Sequence, residues 1–251
     1  MNNGYIDVQI HENIATVEFY HPASNSFPSH LLQKLARTFN ELDSDNNVHV
    51  IVLKSEGEKA FCAGASFNEL IAISNPEEGK QFFMGFANVI NAMRKSSKPI
   101  VGRIQGKTVG GGVGLAAACD YVFAMEHASV KLSELTIGIG PFVIAPVVER
   151  KIGVAALGEL SFNATNWYTA YWAKEKGLFS QVFDSFKEMD SFLDNFVSKL
   201  ATYNPEAVRD MKKVLWNNTD NWGSLLEERA ELSGILVLSE NTKKALEKFR
   251  K

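Results

Sequence analysis

Two short runs near the start of the chain alternate apolar and polar residues. They cover residues 5–10 and 14–19, and the polar pair Glu12-Asn13 stands between them. Because successive side chains of a strand point to opposite faces, alternation over this length predicts two half-buried strands. A short polar connection between two such runs predicts a β-hairpin.

The next segment changes to a helical period. After a loop rich in Ser, Asn and Pro, apolar residues recur every three or four positions, which predicts an amphipathic helix. Ser29 stands just before this run, and we expect its hydroxyl to cap the helix. The residues of the predicted apolar face are Leu31, Leu32, Leu35, Ala36, Phe39 and Leu42.

Strands and helices then alternate along the chain. Apolar runs at residues 48–53, 100–104 and 121–125 predict buried strands. Pro76 stands where proline favours the first turn of a helix, and a long amphipathic helix is predicted to follow it. This alternation predicts an α/β fold with crossover connections.

From Pro141 onward the apolar spacing is mainly helical. Helices are predicted at residues 143–152, 154–162, 169–176, 189–201 and 205–216, and from 222 onward. We therefore expect a mixed α/β body over residues 1–190 and a helical C-terminal region over residues 191–251.

Composition excludes several classes of protein. The 251 residues carry 26 basic and 29 acidic side chains, a formal net charge of −3, so the basic footprint of a nucleic-acid-binding protein is missing. No apolar run approaches the roughly 20 residues that cross a bilayer, and the first residues lack a secretory-signal pattern. Cys62 and Cys119 are expected to be reduced thiols. These features predict a cytoplasmic protein without nucleic-acid or membrane partners.

Two segments of small residues could let the backbone approach a ligand. One covers residues 60–65 and the other residues 110–114. Glycine and alanine leave N–H groups uncovered, so one amide from each segment could converge on a single carbonyl oxygen and form an oxyanion hole. The alternative is that both segments serve only close contacts between strands and helices.

The second segment also fits a dinucleotide-binding pattern. Residues 112–117 read G-x-G-x-x-A, and Glu134 follows about 20 residues later. In a dinucleotide-binding unit that acid ends the second strand, whereas Glu134 comes after the strand at 121–125, in a further extended stretch. A nucleotide-dependent oxidoreductase therefore stays as an alternative hypothesis.

Four motifs along nearly the whole chain resemble those of the crotonase (enoyl-CoA hydratase/isomerase) superfamily. Members carry A-F-x-A-G-A-D, then K-P-[IV] leading through a G-G-G triplet to A-C-D, then P-E-x-x-L-G, and later A-x-x-x-G-L-V. This chain has matching stretches at residues 60–66, 98–120, 133–141 and 172–179. The combination of G-G-G-V-G-L with S-E-L-x-I-G looks most like bacterial methylglutaconyl-CoA or short enoyl-CoA hydratases.

The resemblance implies a fold, an assembly and a substrate class. It implies a spiral of ββα turns with a C-terminal helical trimerisation region, giving a homotrimer or a dimer of trimers. It also implies an acyl-CoA thioester substrate and no metal or redox cofactor, coenzyme A being part of the substrate.

The resemblance also implies roles for individual residues. The backbone N–H groups of Ala65 and Gly111 match the oxyanion donors, which hold the thioester oxygen as enolate charge develops. Lys248 resembles a basic position near the CoA phosphates, although a solvated helix face also accounts for a lysine there. The positions matched to substrate and CoA binding are Ala23, Ser24, Asn25, Ala60, Phe61, Ala63, Gly64 and Gly110.

Departures from the family pattern bear on the chemistry. Hydratases of this superfamily commonly use two glutamates, and the first of these positions is Gly114 here. The second is retained as Glu134, and Ser66 replaces the family's aspartate. A single retained glutamate also matches Δ3,Δ2-enoyl-CoA isomerases.

One carboxylate can serve either reaction. Hydration needs a proton taken from water and a proton delivered at C2, whereas an isomerase moves one proton from C2 to C4. We favour hydration of a short or branched, methylglutaconyl-like 2-enoyl-CoA. The isomerase is the alternative, and a non-catalytic acyl-CoA binder is a third hypothesis. We also expect Gly114→Glu to supply a second acid and to raise hydration.

Apolar neighbours are expected to raise the pKa of Glu134. A structural role, as a helix cap or as a partner for Arg150, is the alternative for this glutamate. The expected neighbours are Ile137, Ile139, Phe142 and Val143.

Overall fold

A computed structural model describes residues 4–247. The chain begins with the predicted hairpin, β1 (Tyr5–His11) and β2 (Ile14–Tyr20), whose strands pair antiparallel. Glu12 and Asn13 form the turn at φ +48° and +66°, the left-handed conformation that a tight two-residue hairpin turn requires. The hairpin prediction is confirmed.

The remaining elements alternate strands and helices as far as α5 and are mainly helical after it. In chain order they begin with α1 (Ser29–Ser44), β3 (Val50–Ser55), β4 (Ala60–Cys62), α2 (Phe67–Ala72), α3 (Pro76–Lys95), β5 (Ile100–Ile104), β6 (Lys107–Val109), α4 (Gly111–Ala118), β7 (Tyr121–Met125) and β8 (Ser129–Lys131). A 3-10 turn (Glu134–Ile137) leads to α5 (Ala145–Phe162), β9 (Tyr168–Thr169), α6 (Ala170–Glu175), β10 (Gln181–Phe183) and α7 (Phe186–Ala201). The last three helices are α8 (Pro205–Leu215), α9 (Trp222–Leu236) and α10 (Glu240–Glu247).

Successive strands are divided between two sheets. The larger sheet has the order β1-β2-β3-β5-β7-β10, and the smaller has the order β4-β6-β8-β9. Since β3, β5 and β7 alternate along the chain with β4, β6 and β8, each turn of the chain adds one strand to each sheet. The pairs β3–β5, β5–β7, β4–β6 and β6–β8 are parallel. The predicted α/β class and the spiral of ββα turns are confirmed.

Helix α1 differs from the prediction at its N-terminus. Its apolar face is buried as predicted, but the residue at the cap position is Pro28, and Ser29 is the first helical residue. The Ser29 hydroxyl donates to the carboxylate of Glu69, and the Ser29 amide donates to the same group at 3.0 Å. The expected cap is therefore wrong, because a side chain from α2 satisfies this helix end instead.

Further differences come from packing that the local sequence does not encode. α4 begins inside the second segment of small residues, at Gly111, and the whole run from Gly112 to Ala118 is buried. The short strands β9 and β10 were not predicted. α5 is divided at Gly153, where φ is +78°, so the two helices predicted here meet at a kink.

The C-terminal helices lie against the body. α7 covers the larger sheet, where Met189 and Leu193 join the buried cluster that includes Phe123. The expected division after residue 190 therefore falls inside α7. α9 lies along α3, so closely that a Cβ built on Gly79 would be 2.7 Å from the Cα of Gly234.

Asp120 connects the body to α8. Its carboxylate accepts the Ile100 amide at 2.7 Å and the indole N–H of Trp216 at 2.8 Å. The ammonium of Lys212, whose side chain is 4% exposed, lies 2.9 Å from the same carboxylate. A buried and satisfied ion pair therefore holds this helix in place.

The cysteines are free, as predicted, and both are buried. Burial raises the pKa of both the Cys62 and the Cys119 thiol to about 12, so both stay protonated at neutral pH. Within residues 4–247, no helix combines the length and the apolar character needed to cross a membrane.

Candidate active site

A cavity of about 160 Å³ lies between the two segments of small residues. The proposed amide donors Ala65 and Gly111 and the proposed acid Glu134 all line it. Its other lining residues are Ala63, Gly64, Phe67, Leu70, Phe82, Phe83, Phe86, Val109, Gly110, Ser133, Ile137, Ile139, Gly140, Pro141, Phe142, Val143, Ile144 and Ser233. Among the residues that the structure describes, the side chains of this wall are therefore apolar apart from one carboxylate and two serines.

The 3-10 turn after β8 places Glu134 in this cavity. The turn ends at Gly138, whose φ of +83° is a left-handed conformation that glycine adopts without strain. Thr242 of α10 donates to the Gly138 carbonyl at 3.0 Å, which fixes the turn from outside. A Cβ built on Gly110 would lie 2.9 Å from Oε1 of Glu134, so the carboxylate touches the glycine segment.

The two structural alternatives for Glu134 do not hold. Glu134 is the first residue of the 3-10 turn and Ser133 occupies the cap position, so Glu134 is not the cap residue. The guanidinium of Arg150 lies over the ring of Trp216, 4.9 Å from its centroid, and is influenced by Asp120 rather than by Glu134.

The Glu134 carboxyl group is desolvated. Its Oε2 atom is buried and has no hydrogen-bond partner among the described residues. Burial raises the pKa of Glu134 to about 7, against the opposing effect of the amides of Glu134 and Ser133. At neutral pH the group therefore exists in both protonation states, so it can accept a proton and also donate one.

The amides of Ala65 and Gly111 lie on neighbouring stretches of backbone. The Phe27 amide donates to the Gly64 carbonyl and the Ser66 amide donates to the Phe27 carbonyl, both at 2.8 Å. Because alternate peptides of an extended chain face opposite sides, the Ala65 N–H points away from Phe27. Gly111 opens α4, where the first amides have no intrahelical acceptor. A Cβ built on Gly64 would lie only 3.6 Å from the Gly111 nitrogen.

The two segments matched to CoA binding are joined by hydrogen bonds. Ser24 and Asn25 adopt left-handed conformations at φ +54° and +56°. The Ala63 amide donates to the Ser24 carbonyl at 3.1 Å. The Asn25 side chain donates to the carbonyls of Glu56 and Ala60, both at 2.9 Å. Asn25 thus holds the two segments together, and its buried side-chain amide is occupied by these hydrogen bonds.

The other predicted contact residues differ in their surroundings. Ala63, Gly64 and Gly110 line the cavity, whereas Ala23, Ser24 and Ala60 do not. Phe61 is fully buried against Phe19, with ring centroids 5.3 Å apart, so only its backbone could meet a ligand. Lys248 lies outside the described residues.

The space beside Gly114 is already filled. A Cβ built on Gly114 would lie 2.5 Å from Cγ2 of Ile144, and Gly114 does not line the cavity. A glutamate at position 114 must therefore displace Ile144 before it can supply a second acid, which weighs against the expected gain in hydration.

The dinucleotide-binding interpretation is also wrong. A Cβ built on Gly112 would lie 2.6 Å from the Cys62 carbonyl oxygen, and Gly114 meets Ile144 as described. Both glycines therefore contact protein, and neither leaves room for a pyrophosphate. Glu134 lies in the cavity rather than at the end of a strand.

Some lining residues could not be recognised from the sequence. The apolar neighbours expected for Glu134 do line the cavity, but Ile144 and Ser233 were not anticipated. Ser233 reaches the cavity because Gly79 and Gly234 let α3 and α9 approach closely. The small pair Ser233-Gly234 near the end of α9 was the available signal.

A family model and several known proteins match this chain. The model described as enoyl-CoA hydratase/isomerase matches residues 9–250. A Bacillus subtilis protein named probable enoyl-CoA hydratase is 25% identical over 246 residues, covering 97% of this chain and 95% of that protein. The mitochondrial methylglutaconyl-CoA hydratase of Rattus norvegicus is 34% identical over 168 residues, covering 66% of this chain and 53% of that protein. A crystal structure of enoyl-CoA hydratase from Bacillus halodurans superimposes with a TM-score of 0.91 at 20% identity, covering 97% and 99% of the two chains.

Proposed function

The chain belongs to the enoyl-CoA hydratase/isomerase family, and from this premise we propose that it adds water to a short or branched 2-enoyl-CoA. The observation that supports the proposal is that Glu134, Ala65 and Gly111 line one cavity. The unpartnered carboxylate oxygen of Glu134 adds support, because such an atom is costly unless a ligand or water uses it.

The proposed step needs these three groups. The thioester oxygen accepts hydrogen bonds from the N–H groups of Ala65 and Gly111. Water adds to C3 as its proton passes to the Glu134 carboxylate, and the C2=C3 electrons move onto the thioester as an enolate. The Glu134 carboxyl then returns a proton to C2, so one water is added and the enzyme is unchanged. Each such donor typically contributes about 3 kcal/mol to barrier lowering.

The pKa of Glu134 suits a group that works in both directions. A carboxyl with a pKa of about 7 is a stronger base than an ordinary glutamate and still gives up its proton at neutral pH. The pantetheine and adenine of CoA would run along the joined loops at Ala23–Asn25 and Ala60–Gly64, contacted largely through backbone.

An isomerase is the second candidate, and Ile144 favours it. The space that could hold a second carboxylate beside Gly114 contains this apolar side chain. A 1,3 proton shift needs only one base, which removes a proton at C2 and returns it at C4. Glu134 alone meets that requirement.

Product analysis with Glu134→Gln tests both candidates. Liquid chromatography coupled to mass spectrometry of reactions with crotonyl-CoA and 3-hexenoyl-CoA identifies a hydrated product by the added mass of one water and an isomer by its changed elution at unchanged mass. We expect the variant to lose at least 1,000-fold in kcat while its affinity for the thioester stays within a few-fold. The exposed Glu228→Gln is the matched control. Full activity of Glu134→Gln would overturn the assignment, and binding without turnover by the unmodified chain would indicate a non-catalytic binder.

A further inference from the structure

The wall of the cavity is formed mainly by aromatic and aliphatic side chains. Phe82 and Phe83 of α3 contact each other edge to face, with ring centroids 5.1 Å apart. Phe86, one turn further, lies against Gly111, where a Cβ would meet its ring at 2.3 Å. Leu70 and Ile139 join Phe82 in a buried cluster with residues from the C-terminal helices. An acyl group in this cavity therefore meets hydrocarbon.

The polar groups of the wall leave little to bind a charge. Of the two lining serines, Ser233 already donates its hydroxyl to the Arg229 carbonyl at 2.9 Å. Glu134 is the ionisable side chain among the lining residues, and its own ionisation is disfavoured by burial. A second carboxylate would be desolvated and would repel the first.

Two cations on the surrounding elements, Lys80 and Lys151, are held by other groups. Lys80, on the same helix as Phe82 and Phe83, pairs with Glu227 of α9 at 2.8 Å. Lys151, on α5, donates to the Cys119 carbonyl at 2.8 Å. Within residues 4–247, the lining therefore offers a second carboxylate no basic partner.

We propose that the acyl group accepted here is an uncharged hydrocarbon chain, and that acyl groups ending in a carboxylate are rejected. This inference rests on the proposed function and narrows its substrate class. It separates the chain from the rat relative, whose name specifies methylglutaconyl-CoA, a thioester that carries such a carboxylate. An unpaired buried charge is among the most costly groups to place in an apolar site.

Three thioesters test the proposal on the full-length chain. They are 2-pentenoyl-CoA, 3-methylglutaconyl-CoA and the ω-amide of the latter, which keeps its shape but has no charge. We expect kcat/KM for 3-methylglutaconyl-CoA to be at least 100-fold below that for 2-pentenoyl-CoA and at least tenfold below that for the ω-amide. From pH 7 to pH 5 the carboxylate of 3-methylglutaconyl-CoA takes up a proton. A rise in kcat/KM for this substrate relative to 2-pentenoyl-CoA over that range would support rejection of the charge as the cause.

The outcomes distinguish this inference from the proposed function. Comparable kcat/KM for the charged and uncharged thioesters would overturn the inference and leave the function standing. Turnover of none of the three, nor of their 3-enoyl isomers, would instead overturn the function. Lys248→Met is assayed in parallel, and a selective loss of charged-substrate turnover in that variant would also overturn the inference, by identifying a cation that serves the acyl group.

Discussion

Replacing Glu134 by glutamine is expected to stabilise the fold above neutral pH while removing activity. Burial raises the carboxyl pKa from 4.5 to about 7. Between these two pH values the folded chain keeps a proton that the unfolded chain has released. Because the folded state then binds more protons, stability falls as pH rises through this window and levels off above it.

The size of the effect follows from the two pKa values. Each pH unit of the window costs about 1.4 kcal/mol, so the free energy of unfolding lost by pH 8 is about 3 kcal/mol. Glutamine keeps the shape of the side chain and carries no titrating proton. The free energy of unfolding of Glu134→Gln should therefore exceed that of the unmodified protein by about 3 kcal/mol at pH 8 and by under about 1 kcal/mol at pH 5.

Urea unfolding at both pH values, followed by the fluorescence of the four tryptophans, measures this difference. Glu228→Gln, an exposed position on α9, is the matched control and should show no comparable gain. A Glu134→Gln protein that is no more stable than the unmodified protein at pH 8 would refute the argument. An equal gain at both pH values would refute it too, because the cause would then not be ionisation.

Three further predictions concern packing and assembly. Gly114→Glu should lower the free energy of unfolding by about 2 kcal/mol or more and give no gain in hydration, because Ile144 fills the space. Adding Ile144→Ala should recover part of that stability in urea unfolding. A Gly114→Glu protein that is as stable as the unmodified protein and hydrates faster would contradict this explanation. Asp120→Asn should cost about 3 kcal/mol in the same assay, because it leaves the buried Lys212 ammonium without its carboxylate partner, and a loss below about 1 kcal/mol would contradict that role. The predicted homotrimer or dimer of trimers is checked by light scattering on the purified protein, and a monomer at micromolar concentration would contradict it.

Local patterns were sufficient for the features that depend on neighbours in sequence. The hairpin follows from alternation on either side of Glu12-Asn13, and the long helix follows from Pro76 and its apolar spacing. Glu134 could be singled out because it stands in a recognisable motif. Its neighbours Ile137 and Ile139 follow three and five positions later, so its apolar setting could be predicted as well.

Features that depend on distant contacts could not be predicted. Ile144 occupies the space beside Gly114 although 30 positions separate the two residues, and only the folded arrangement of α4 and α5 brings them together. The glycines at positions 111 and 112 disfavour a helix, yet α4 begins there and its residues from Gly112 to Ala118 are all buried. Ser233 enters the cavity only because α9 crosses α3 at a pair of glycines.

The carbonyl stretch of a bound thioester tests the central claim most directly. Crotonyl-CoA labelled with ¹³C at the thioester carbon can be bound to Glu134→Gln, which is expected to bind without turning it over, and its infrared spectrum compared with that of the free thioester. If the amides of Ala65 and Gly111 both donate to that oxygen, the stretch moves to lower frequency than in water, because the carbonyl is polarised. A stretch at or above the free value would contradict the account.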